Sequence, residues 1–247
     1  MILKLHMPLY REIFSIPDFL QSPVVTFGCQ GIEGIQIGPQ RLDRFTVRLR
    51  RFLASQNKRQ RLKNFVTGKF ANPVPQDFQF ASLTEFLLSK GYATTTLDFF
   101  DPRAHLRYDM NRPIPESEYG RYATMMDIGS IEHLFDTAQC IENCLRMVRI
   151  GGHYMLTTNV HGYYGHGLHV FNPQGLVDCL TGNGFRIVYM KYSTLKGEPV
   201  ANPRKHRDVL IWLVGKKEKD IPEFVCPQQT IWATDYYPQP LAPSSAA

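Results

Sequence analysis

No stretch of these 247 residues is apolar for long enough to cross a membrane as a helix. Between Met1 and Phe14 the apolar residues are interrupted by Lys4, His6, Arg11 and Glu12, which excludes the unbroken core of a signal peptide. Cysteine is scarce: the five, Cys29, Cys140, Cys144, Cys179 and Cys226, are odd in number and form no CxxC pair. That argues against a disulfide framework and for a reduced, cytoplasmic setting, with Cys140 and Cys144 as neighbours on one helix face. Acidic residues are nearly missing from one segment. Between Arg41 and Lys69, ten basic residues face only Asp43, so +9 of charge sits there while the whole chain carries +6 and the remainder −3. Any partner attracted by positive charge belongs to that segment.

What is present is enough for one large core, since 43% of the residues are hydrophobic and 20% charged. We expect a single domain over residues 1–237 and a disordered tail over 238–247, where prolines and serines replace apolar residues. After a short amphipathic start, Val24 to Phe27 reads as a buried strand ending at Gly28. Phe45, Leu49, Phe52 and Leu53 recur at helical spacing, which predicts a helix from about Arg41 to Ala54.

The pattern then becomes regular. Ser82 and Glu85 form a capping box before Leu83, Phe86 and Leu87, and Gly91 stops that helix. Strands follow over 93–98, 105–108 and 123–128. Asp136 with Gln139 caps a helix carrying Ala138, Ile141, Leu145 and Val148, and Gly151-Gly152 turns the chain into a strand over 153–158. Asn172-Pro173 opens a helix with Leu176, Val177 and Leu180 inward, which Gly182 and Gly184 end. Strands over 185–192 and 209–214 finish the pattern. Strands alternating with capped helices imply a parallel sheet covered on both faces. The last two strands are joined by a loop with Gly197, Pro199 and Pro203 instead of a helix, so the final one can run antiparallel.

This series resembles the class I S-adenosylmethionine-dependent methyltransferases. MMDIGSIEHLFD (125–136) is similar to that family's fourth strand and following turn, with its Glu-His pair; LRMVRIGGHYMLTT (145–158) to the next helix, turn and strand; HGLHVFNPQGLVDCLTGNGFRI (166–187) to the helix and strand after it. The resemblance implies an α/β, Rossmann-like fold with a mostly parallel seven-stranded sheet, an antiparallel last strand and helices on both faces. It implies S-adenosyl-L-methionine as cofactor, with Asp98 on the ribose hydroxyls, Asp109 and Met110 at the adenine, and Gly28, Gln30 and Gly129 lining the rest. TFGCQGIEG (26–34) departs from the family's acidic residue and GxGxG, placing Thr26 at the acidic position and Gln30 at the second glycine.

Methyl transfer from a sulfonium needs alignment and exclusion of water, plus a base if the acceptor is a hydroxyl. Imidazole suits that task because its ordinary pKa of about 6.5 lies near working pH. His133, His161 and His166 are the candidate catalytic residues, with Glu132 orienting His133; Tyr163, Tyr164, His169 and Arg204 are candidates for holding the acceptor. The three histidines of the loop 161–169 have no helical or strand register between them, so no metal site is expected.

The expected reaction is transfer to oxygen or nitrogen of a small-molecule or sugar-type acceptor. The basic insertion, about residues 35–80, reads as a lid, because Phe45 and Phe52 fall on its apolar stripe; an RNA or acidic-membrane surface is the alternative. A catalytically silent binding protein that keeps the fold, and an RNA methyltransferase, are the rival readings of the whole chain.

Overall fold

The computed structural model describes residues 2, 4–32 and 82–228. The basic insertion with its expected helix over 41–54, and the tail over 238–247, lie outside the described residues. Within them, six strands form one sheet: β1 (Val24–Phe27), β2 (Thr94–Leu97), β3 (Tyr122–Ile128), β4 (Val148–His161), β5 (Phe185–Ser193) and β6 (Val209–Lys217), in the order β2-β1-β3-β4-β6-β5. The first four neighbours pair in parallel, and β6 runs antiparallel to both β4 and β5. The α/β architecture with an antiparallel last strand is therefore as expected.

Helices α1 (Met7–Phe14), α2 (Leu83–Ser89), α3 (Thr137–Met147) and α4 (Pro173–Gly182) cover the sheet. Alternate strand residues divide between two cores, because successive side chains of a strand point to opposite faces. Val25, Met125, Tyr154 and Leu213 meet Ile141 and Leu145 of α3 and Leu180 of α4. Val24, Met126, Met155, Trp212 and Val214 meet Tyr10 and Ile13 of α1 and Leu83 and Leu87 of α2. All seven residues of β3 are buried, as befits a strand at the centre of a sheet covered on both faces. The helix starts are the expected ones: the side chains of Ser82, Asp136 and Asn172 accept from the backbone N–H of Glu85, Gln139 and Gln174. Each such cap is worth about 1 kcal/mol.

Three expectations need correction. Among the described residues the sheet has six strands, not seven, because the segment over 105–108 contributes only one parallel bridge, Leu106 to Leu97. The backbone N–H groups of His105 and Leu106 both go to Thr96 O, and Leu106 O accepts the Asp98 N–H; beyond Leu106 the pairing stops, with Arg107 exposed and the Tyr108 hydroxyl turned to Glu118. Gly151 and Gly152 do not separate α3 from a later strand. β4 starts at Val148 and bulges between pairings with Tyr122 and Thr124; Gly151 is left-handed at φ +79°, and Gly152 passes so close to Ala123 O that an added Cβ would lie 2.6 Å from it. On α3, Ala138 is exposed, and Cys140 and Cys144 carry the buried stripe.

His153 sits near the start of β4, almost wholly buried, its ring edge-on to Phe19 at 5.7 Å and its Nδ1 without a hydrogen-bond partner among the described residues. Burial, with Lys216 nearby, brings its pKa down to about 4. The unfolded chain therefore takes up this proton first, so the stability it contributes is full above about pH 6.5 and is lost as pH falls towards 4. Chemical denaturation across that window should show a steeper acid loss in the wild type than in His153→Phe; equal slopes would show that His153 is not the group responsible.

Candidate functional site

The carboxyl end of β3 is shaped by a buried acid. Asp127 accepts the Ser130 backbone N–H at 3.0 Å and the Tyr154 hydroxyl at 3.3 Å. Burial pushes its pKa well above the usual carboxylate range, and the charge of Glu132 pushes it further. The turn that this bond fixes passes through Gly129, left-handed at φ +72°, into a short 3-10 turn over Ile131–His133. Glu132 points inward and is only 3% exposed, whereas His133 is exposed. The Thr158 hydroxyl on β4 lies 3.0 Å from Glu132 Oε2 and 3.2 Å from Asn159 Oδ1, and it can donate to either.

The loop after β4 is pinned to the same glutamate through the backbone. Glu132 O accepts the N–H of Leu168 at 2.6 Å and of His169 at 3.3 Å. Gly167 makes this approach possible: it is left-handed at φ +74°, and an added Cβ would lie 2.9 Å from Glu132 O. The chain thereby delivers His166, whose Nε2 is 3.9 Å from Glu132 Oε1 and whose ring meets His133 at 5.0 Å and 75°. One donor atom from each of Glu132, His133 and His166 lies within 4.8 Å of the other two. Two of the expected histidines, distant in sequence, are thus neighbours over a buried carboxylate.

The other expected residues spread around this group. His161 is exposed at the end of β4, in register with Val209. Tyr163 adopts a left-handed φ of +59°, its N–H donates to Asp208 Oδ1, and its ring lies 5.8 Å from that of His166. The Tyr163 hydroxyl is buried without a partner among the described residues, and burial, then the charges of Asp208 and Glu132, push its pKa up to about 12. Tyr164 is fully exposed, while His169 is half-buried with Nε2 3.1 Å from Phe135 O. Arg204 falls in a short turn over Pro203–Lys205, and its side chain is outside the described residues.

On the β1 and β2 side, Gly28 is left-handed at φ +82° and receives Gln30 N–H on its carbonyl. Gln30 is buried, and its Nε2 donates to Phe27 O at 2.9 Å, where a Cβ on Gly28 would also come within 2.9 Å of it. The side chain at the expected second glycine therefore fills the turn. Asp98, half-buried after β2, accepts the N–H of Phe100 at 2.9 Å and of Asp101 at 3.0 Å on Oδ1 alone. Asp109 is held below the usual carboxylate range by hydrogen bonds from Asn111. Met110 packs in the core, its carbonyl 3.3 Å from Asn143 Nδ2. An open hollow lined by Phe14, Phe19, Phe86 and Tyr92 lies at the opposite, amino end of the strands and shares no residue with the histidine group.

Thr158, Gly167 and Asp208 also shape the site, and sequence reasoning did not single them out. A glycine between two histidines is a visible signal for Gly167; nothing local marks the other two.

No protein-family model matches the chain, and no curated protein matches it. Solved structures of similar shape include an S-adenosylmethionine-dependent methyltransferase from Mesorhizobium loti, at 12% identity over 86% of this chain and 98% of that one, with a TM-score of 0.49. A SAM-dependent methyltransferase from Archaeoglobus fulgidus gives 12% identity, 86% and 93% coverage and a TM-score of 0.45. The 1,6-didemethyltoxoflavin-N1-methyltransferase of Burkholderia thailandensis, solved with 1,6-didemethyltoxoflavin and S-adenosylhomocysteine, gives 16% identity and a TM-score of 0.39, covering 55% of this chain and 66% of that one.

Replacing Gly167 by Ala should release the loop from Glu132, since a left-handed alanine is strained by about 1–3 kcal/mol before its contact with the carbonyl is counted. Amide exchange at Leu168 is expected to accelerate by roughly tenfold or more. Unchanged protection would show that the loop is not held there.

Proposed function

We propose that this protein transfers a methyl group from S-adenosylmethionine to an oxygen or nitrogen of a small-molecule or glycan-type acceptor. The observation that carries the reading is the meeting of Glu132, His133 and His166 at the carboxyl ends of β3 and β4, the edge where open α/β sheets bind ligands. The sheet order brings β1, with its glycine turn, between β2 and β3. A nucleoside held by Asp98 and a base on the turn after β3 would thus share one rim.

The fit to the cofactor differs between the two strands. At β2, Asp98 spends only Oδ1 on its own turn, and Oδ2 accepts no hydrogen bond among the described residues, leaving an acceptor for a ribose hydroxyl. At β1, the Gln30 amide occupies the glycine turn, but it is the far end of a flexible side chain and can swing away. When bound, S-adenosylmethionine would supply a methyl group already activated for in-line displacement. The protein's part is to align the acceptor beneath the loop over 161–171 and to take its proton. A ring nitrogen of His133 or His166 would accept that proton as the acceptor heteroatom forms its bond to carbon, with the Glu132 carboxylate facing the resulting imidazolium.

The Gln30 plug favours a second reading, a protein that keeps this fold and has lost the cofactor. Calorimetric titration with S-adenosylmethionine and S-adenosylhomocysteine separates the two. The proposal expects binding by the wild type, weakened on the order of 10–100-fold by Asp98→Ala, which removes charged hydrogen bonds worth about 1.5–3 kcal/mol. It expects tighter binding by Gln30→Gly. If neither wild type nor Gln30→Gly gives heat with either ligand, the silent binding protein is the correct reading.

A further inference from the structure

Glu132, His133 and His166 also have the composition of a metal site, two imidazoles and a carboxylate. We infer that these three side chains form a binding site for one divalent transition-metal ion of the zinc class, with Glu132 Oε1, Nε2 of His166 and a ring nitrogen of His133 as protein ligands.

The geometry is close to what a cation requires. Bonds of about 2.0–2.1 Å in a tetrahedral shell place ligand atoms roughly 3.3 Å apart. Here the separations are within 4.8 Å, with His166 Nε2 at 3.9 Å from Glu132 Oε1. The gap can be closed by the exposed partners alone. His133 and His166 are both exposed, and His166 is flanked by Gly165 at φ +78° and Gly167 at φ +74°.

The carboxylate is the fixed member. It is buried, its Oε2 is within 3.0 Å of the Thr158 hydroxyl, and its backbone carbonyl is engaged by Leu168 and His169. An outer partner on one oxygen directs the other towards the metal, the usual support of a ligating carboxylate. The three histidines of the loop over 161–169 do not form this group: His169 turns to Phe135 O, and Glu132 and His133 come from the turn after β3.

Three protein ligands leave at least one coordination position open beside the loop over 161–171. On the methyl-transfer reading, on which this consequence rests, the acceptor heteroatom would take that position. A coordinated hydroxyl is acidified and would release its proton to water at the exposed rim, so with both imidazoles coordinated the cation would take the place of the proton-accepting imidazole.

The test uses the full chain, stripped with chelator and dialysed, titrated with Zn2+ alone by calorimetry, and with Co2+ as a visible-absorption probe. One equivalent of Zn2+ should bind per chain. His133→Ala and His166→Ala should each weaken binding by more than about 100-fold and abolish the Co2+ bands, whereas Thr158→Val should weaken it on the order of tenfold. Both histidines are exposed, and circular dichroism checks that the variants fold. The site is refuted if the folded wild type takes up no zinc, or if uptake survives both histidine substitutions. Zinc uptake without S-adenosylmethionine binding would leave the site standing and end the methyl-transfer reading; cofactor binding without zinc uptake would do the reverse.

Discussion

A carboxylate almost closed off from water must be held by its neighbours, and whatever holds it is organised by it. Glu132 stands in that position. One oxygen is reached by Thr158 from β4, the other faces His166, and its backbone carbonyl takes two N–H groups from the loop after β4. The turn after β3 and the loop after β4 are thereby fastened at one residue. Without that joint the two histidines would sit on separate excursions of the chain.

The burial of Glu132 has a cause further down the sheet. Asp127, enclosed at the end of β3, binds the Ser130 N–H and forces the tight exit through Gly129, which turns the next side chains back over the strand ends. The pKa of Asp127 is pushed up by burial and by the charge of Glu132 close by. A cation beside Glu132, whether an imidazolium during proton transfer or a metal ion, offsets that charge. The proposed reaction and the proposed metal site thus draw on one electrostatic feature.

Much of the fold is legible in the sequence because local chemistry and periodicity agree. Ser82, Asp136 and Asn172 start helices where their side chains can accept the orphan N–H groups, and the alternation in Val24-Val25 and Met125-Met126 feeds both cores. The expected strand over 105–108 shrank to one bridge at Leu106 because the bonds of His105 and Leu106 converge on Thr96 instead of running on along β2, and pairing is not a local property. The histidines were legible as a set but not as a group. The expected catalytic set is His133, His161 and His166; the fold joins His166 to His133 through hydrogen bonds to a backbone carbonyl, which no side-chain pattern announces, and leaves His161 at the end of β4. The inward turn of Gln30 was equally hidden, since it depends on the Phe27 carbonyl pointing into the glycine turn.

The most direct test of the account is nitrogen NMR of the imidazoles during titration with S-adenosylhomocysteine. If the nucleoside crevice and the Glu132 group share one rim, the ring signals of His133 and His166 shift in step with binding, and that of His153 at the far end of β4 stays still. Saturating ligand that leaves both His133 and His166 unmoved would contradict it.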